Sequence, residues 1–163
     1  EGPKNVAMTA EIADGWLPLY YSPYRQEVYR EQIAHARPGF EIMQGVSVII
    51  NDDVDEALVP LKRNLALYIG GMGAKDRNFH NELVQRMGFE AEAKKIQDLF
   101  LSGQKDAAAA AVPTELADEI SLVGPVERIR DRLQAWQETP VTSLLVSTQN
   151  LGQLRSFAEL VLG

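Results

Sequence analysis

Apolar residues recur along this chain in two periods, and the periods alternate. Val6, Ala10 and Ala13 share a helical stripe behind Gly2-Pro3, a start where the missing proline N–H costs nothing. Asp14-Gly15 stops that helix, and the apolar run Trp16-Leu17-Pro18-Leu19-Tyr20-Tyr21 predicts a short strand. Pro18 marks a strand end or a bulge within it. Ser22-Pro23 predicts a second helix with Ser22 as its cap, carrying Val28, Ile33 and Ala36 near one face and ending at Arg37-Pro38-Gly39. The longest strand candidate runs from Phe40 to Ile50. Its second half, Val46-Ser47-Val48-Ile49-Ile50, is β-branched and nearly all apolar, as in a parallel strand buried on both sides. Asp53-Val54-Asp55-Glu56 reads as a capping box with Asp as the cap. The helix behind it carries Leu58, Leu61, Leu65 and Ile69 and closes at Gly70-Gly71.

Residues 74–123 carry no strand signal. Phe79, Leu83 and Met87 predict one short helix, and Phe89, Ala93, Ile96 and Phe100 another. The alanine stretch 107–111, ended by Pro113, and the run from Thr114 to Ile120 predict two more. This block reads as a helical insertion between β/α units. The rhythm resumes at Gly124-Pro125, with Val126, Ile129, Leu133 and Trp136 in helical register. Val141-Thr142-Ser143-Leu144-Leu145-Val146-Ser147 reads as a buried strand, and Leu151, Leu154, Phe157, Ala158 and Val161 stripe a last helix. The order predicts an α/β fold with a parallel sheet of three strands.

Composition narrows the function classes. The 163 residues carry 16 Lys+Arg against 23 Asp+Glu, a net charge of −7. That balance argues against a broad grip on a phosphate backbone, so no nucleic-acid partner is expected. The best apolar run stops at Asn51, Asp52 and Asp53, far short of a membrane span. No stretch reads as a signal peptide, so a cytoplasmic setting is expected. With no cysteine, disulfides, thiolate zinc sites and cysteine nucleophiles are excluded.

Ligands of parallel α/β folds gather where strands end and helices begin. Of the helix starts, the one at Gly2-Pro3-Lys4-Asn5 has free N–H groups, a cationic Lys4 and no acidic side chain from Gly2 to Ala10. Such a start suits a phosphate, although Glu1 sits just outside it. The start at Gly124 carries Glu127, and the start at Asp53 carries Asp55 and Glu56, which would repel one. Asp52-Asp53-Val54-Asp55-Glu56 lacks the glycine and the distal Glu of a calcium loop, so capping is the expected role. His35 and His80 have no paired carboxylate nearby in sequence, and no metal site is expected. Tyr20, Tyr21, Ser22 and Tyr24 follow a strand, as do Ser147, Thr148, Gln149 and Asn150. Either set can line a pocket or simply pack, with the tyrosine hydroxyls reaching solvent. No Gly-rich dinucleotide motif, P-loop or nucleophile elbow occurs.

The residues also carry a family resemblance. Gly2-Pro3-Lys4-Asn5 followed by Ala10-Glu11-Ile12-Ala13-Asp14-Gly15-Trp16-Leu17-Pro18 is similar to the helix, A-D-G-W, strand segment of luciferase-like monooxygenases. Val46 to Ala57, Leu122-Val123-Gly124-Pro125-Val126-Glu127-Arg128-Ile129 and Val141 to Ser147 resemble later parts of the same family, the last its eighth strand. The wording is nearest the deazaflavin-dependent branch. The resemblance implies a TIM barrel, of which eight strands and about 250 residues make a whole. Residues 1–163 would then be the C-terminal half, beginning where the fifth strand ends, with the helical insertion at about 74–123. It implies an oxidoreductase whose cofactor is coenzyme F420, with FMN as the alternative, acting on a small organic substrate. Glu1, Gly2 and Pro3 would neighbour the cofactor phosphate, with Lys4 and Asn5 beside them. The resemblance places most catalytic groups in the N-terminal half, so no catalytic residue is assigned and the fragment alone is expected to be inactive. A homodimer, pairing with the missing half, or a non-catalytic half-barrel that binds a partner are the assemblies it allows.

Overall fold

Helices and strands alternate as the periodicity predicts. The computed structural model describes residues 2–74, 76–148 and 150–163. Its elements are α1 (Pro3–Ile12), β1 (Gly15–Trp16), α2 (Glu27–Ile33), β2 (Glu41–Ile50), α3 (Val54–Gly71), α4 (Phe79–Arg86), α5 (Glu90–Leu101), α6 (Lys105–Ala110), α7 (Thr114–Glu119), β3 (Leu122–Gly124), α8 (Val126–Gln137), β4 (Ser143–Ser147) and α9 (Leu151–Leu162). Two compact units form, one from Pro3–Ala57 with Asp118–Gly163, the other from Leu58–Ala117 with Gly2.

The first unit is built on β2. All three other strands pair with it, and every pairing is parallel: β1 at Glu41 and Ile42, β4 from Met43 to Ser47, and β3 from Val48 to Ile50. Short connections make each helix run back against its strands, so α1 contacts β1, α8 contacts β3 and α9 contacts β2. Ile42, Gln44, Val46 and Val48 are buried, whereas Glu41 and Gly45 on the alternate face are exposed. Only at Val48 and Ile49 are neighbouring residues of β2 both buried. The burial predicted on both sides of Val46–Ile50 therefore holds for part of that run. One face of the sheet is covered by helices, and Gly45 and Leu145 stand open on the other.

Three local expectations are corrected. The strand predicted over 16–21 is only Gly15–Trp16, since Pro18 has no N–H to extend a ladder. Tyr20 and Tyr21 leave the sheet and are buried instead, Tyr21 against the rings of Tyr29 and Trp136. Helix α2 starts at Glu27 without a side-chain cap, and the predicted cap Ser22 is engaged elsewhere. Finally, Leu122–Gly124 is a strand inside the stretch expected to be purely helical, and it is fully buried. Three residues are too few for a period to register in sequence. Gly124 closes it at φ +126°, where a Cβ would also come within 2.7 Å of the Arg128 stem, so only glycine fits.

The second unit is helical. It holds the greater part of α3 and then α4, α5, α6 and most of α7. Two buried asparagines tie it. Asn78 caps α4 by accepting from the backbone N–H groups of His80 and Asn81, and its amide donates to the carbonyls of Tyr68 and Ile69 at 2.9 and 3.0 Å. Asn81 donates to the carbonyls of Ile69 and Ala93 at 3.1 and 2.8 Å. Together they satisfy carbonyls at the end of α3 that a helix leaves without partners. Gly70 and Gly71 admit the ring of Phe100, because a Cβ at Gly70 would stand 2.4 Å from the Phe100 Cβ.

Candidate functional site

Because the strands are parallel, their C-terminal ends share one edge of the sheet. Helix α1 runs into β1 through only Ala13 and Asp14, so it is antiparallel to that strand. Its N-terminus therefore lies toward the same edge as the connection 17–26 that leaves β1.

At that N-terminus Pro3, Lys4 and Asn5 are all exposed. The first turn carries no acidic residue. Pro3 has no N–H, and the N–H groups of Lys4 and Asn5 lie in the first turn, where a helix supplies no internal acceptor. Partial positive charge, two donors and an ammonium group thus coincide at a solvent-facing point, the arrangement that receives a phosphate. Two other helix starts of this unit differ, α3 carrying Asp55 and Glu56 and α8 carrying Glu127; α9 also lacks an acidic first turn, but it has no cationic side chain there and its Gln153 N–H is already capped by Asn150. Gly2, by contrast, is buried, and a Cβ there would stand 3.2 Å from the Phe79 ring. Glu1 lies outside the described residues.

The other candidates have structural tasks. Asp53 accepts from the Glu56 N–H at 2.9 Å and so caps α3. Glu56 does not return to the Asp53 N–H, which donates to Asn51 Oδ1 instead. His80 stands edge-on to Tyr68, centroids 5.1 Å apart, and His35 is exposed. Among the described residues no three His, Asp or Glu side chains converge on a point that could hold a metal.

The described residues behind the strands mostly pack or hydrogen-bond. Tyr21 is fully buried, so its hydroxyl does not reach solvent. That hydroxyl has no partner, and burial, with Glu27 nearby, pushes its pKa up to about 12. Ser22 is buried too; its hydroxyl donates to Glu119 Oε2 at 2.8 Å. Tyr24 is exposed, with the Arg132 guanidinium 5.6 Å from its ring centre. Behind β4, Ser147 Oγ lies 3.4 Å from Ser47 Oγ, Thr148 donates to Gln153, and Asn150 caps α9. Gln149 lies outside the described residues. An apolar cavity of about 370 Å³ opens between α8, β4 and α9, lined by Leu133, Trp136, Val146 and Phe157 among others. It holds no ionisable side chain and offers no acid–base chemistry.

Sequence reasoning missed the ion-pair cluster that joins the 17–26 connection to the segment before β3. Glu119 is bound by Arg25 through Nε at 2.7 Å and Nη2 at 2.9 Å. Next to it in sequence, Asp118 receives Arg128 at 2.8 Å and Arg132 at 3.1 Å. The partners are more than 90 positions apart in the first pair, and no local pattern links them.

The family model of the luciferase-like monooxygenases matches residues 1–143. The chain is 42% identical, over 99% of its length, to a Mycobacterium tuberculosis protein provisionally named a coenzyme F420-dependent oxidoreductase. It spans 49% of that protein, about half the length of the curated relative it matches. Among solved structures, it superposes on the coenzyme F420-dependent tetrahydromethanopterin reductase of Methanopyrus kandleri with a TM-score of 0.68, at 20% identity, covering 98% of this chain and 46% of that one. An F420-dependent secondary alcohol dehydrogenase, bound to an F420-acetone adduct, gives a TM-score of 0.61 at 16% identity, again over 98% and 46% of the two chains. At these identities the solved structures speak for the fold, a parallel α/β portion of a TIM barrel, and the family rests on the sequence matches. This chain belongs to the luciferase-like monooxygenase family.

Proposed function

We propose that this chain is the cofactor-phosphate half of a cytoplasmic, F420-dependent oxidoreductase that moves a hydride between the deazaflavin and a small organic substrate. The observation that carries the reading is the exposed start of α1, with Lys4, Asn5 and no carboxylate in its first turn, at the edge where the strands end. Its chemistry fits a phosphate. Pro3, Lys4 and Asn5 would hold that group, with Glu1 and Gly2 beside them. The named functions of the M. tuberculosis relative and of both solved structures favour F420 over FMN.

When bound, the deazaflavin supplies the hydride chemistry; the protein supplies position and electrostatics. Lys4 neutralises phosphate charge, and the α1 N–H groups fix its direction. Catalytic side chains belong to further β/α units that complete the barrel. The open face bearing Gly45 and Leu145 is where those units, or a second copy, would pack, and the chain alone would be inactive.

Fluorescence titration of the full-length protein with F420 and with FMN tests this. Tight binding of F420 and weaker binding of FMN is expected. Preference for FMN would move the protein to the flavin-dependent branch. Binding of neither would defeat the reading and leave a non-catalytic half-barrel as the alternative.

A further inference from the structure

The connection 17–26 leaves β1 at the edge where α1 begins, and it is held by a carboxylate far away in sequence. Glu119 is only 8% exposed. Both its oxygens are used: Arg25 Nη2 donates to Oε1, while Arg25 Nε and Ser22 Oγ donate to Oε2. Ser22 Oγ in turn accepts from the Tyr24 N–H at 3.2 Å. Arg132, held by Asp118, adds a further contact by lying over the Tyr24 ring. A buried ion pair of this kind contributes little net stability against an apolar replacement, because desolvation offsets the attraction. It does fix geometry, since three donors on one carboxylate leave it no other arrangement.

We propose that Glu119 is a positioning residue for cofactor binding: through Arg25 and Ser22 it sets the connection 17–26 against the phosphate-binding start of α1. The inference rests on the cofactor reading above and deepens it. Nothing in the clamp touches the reacting atoms. Its effect is on how tightly the cofactor is held, through a loop whose bound shape exists before binding.

The test uses full-length protein, F420 titration, thermal melting and amide hydrogen exchange over residues 17–26. Glu119→Gln should weaken F420 binding roughly tenfold, the scale of hydrogen bonds to a charged group, and speed exchange in the connection. It should also lower Tm, because the part-buried Arg25 loses the carboxylate that pairs with it. The double variant Glu119→Gln with Arg25→Met removes the guanidinium as well as the carboxylate. Its Tm should recover while cofactor binding stays weak and exchange stays fast. Recovery of binding together with Tm, or binding unchanged in Glu119→Gln, overturns the proposal. If Glu119→Gln does not fold, Ser22→Ala keeps the ion pair and removes one donor; binding weakened about threefold with Tm held supports the proposal, and unchanged binding overturns it. Failure of the wild-type protein to bind F420 is a separate result that removes the cofactor reading, and with it this role.

Discussion

Tyr21 lies almost parallel to Tyr29, with ring centroids 5.5 Å apart and planes 10° apart, yet the two hydroxyls fare differently. Tyr29 donates to the Tyr20 carbonyl at 2.8 Å, while the Tyr21 hydroxyl is buried without a partner. The stacking and burial favour the ring, and the stranded hydroxyl works against it.

Tyr21→Phe should therefore raise stability at neutral pH, by about 1 kcal/mol on the cost of an unmade buried hydrogen bond. It should also change the alkaline limb. Folding raises the Tyr21 pKa from 10.0 to about 12, so the folded chain keeps a proton that the unfolded chain releases. The stabilisation is complete below pH 10 and is lost as pH rises toward 12. Urea midpoints at pH 7 and across that window check both effects; the variant should show a flatter alkaline decline.

Asn78→Ala removes the α4 cap and two donors to the end of α3. Asn81 still reaches the Ile69 carbonyl, so a lost cap with the loss of the Asn78 amide bonds gives a cost of about 1–3 kcal/mol. Asn78→Asp keeps the cap acceptor but not the amide donors. It should be destabilised as well, which separates donor from acceptor in a urea melt.

Gly70→Ala places a methyl 2.4 Å from the Phe100 Cβ and 3.3 Å from the Ile96 carbonyl oxygen. Overpacking of this kind costs about 1–3 kcal/mol. Phe100→Ala in the same chain should recover part of the loss, giving a non-additive double-mutant cycle.

Lys4→Glu reverses the one cationic side chain in the exposed first turn of α1. Stability should stay within about 0.5 kcal/mol, as for other surface changes. F420 affinity should fall, and its dependence on ionic strength should shrink. Gly2→Asp should also weaken binding, and Gly2→Ala separates charge from the 3.2 Å approach to Phe79: equal losses in both would assign the effect to Phe79.

Much of the architecture was legible because it is local. The stripes of α1, α3, α8 and α9 follow a helical period, and Asp53 announces its cap three residues ahead of the N–H it accepts. The helix boundaries within 79–119 sit at glycines and at Pro113, where backbone chemistry punctuates the chain. What escaped was either too short or too distant. β3 is three residues long, so its pairing with β2 decides its form. Ser22 looked like a cap because a Ser-Pro pair often is one; its real partner, Glu119, lies 97 positions away. The candidate phosphate site was legible as charge and donors. The clamp on the 17–26 connection was not, since ion pairing across the fold leaves no spacing rule in the chain.

The central place of β2 has a consequence for how the molecule forms. Its partners β3 and β4 join it from about 75 and 100 positions downstream, so the sheet cannot zip up from neighbouring segments. Closing so long a loop is entropically costly before any ladder bond repays it. The helices of Leu58–Ala117 make local contacts, and their early formation would draw in the span between β2 and β3. On that account Asn78 and Gly70 set the pace of refolding: their variants should slow sheet formation as well as lower stability.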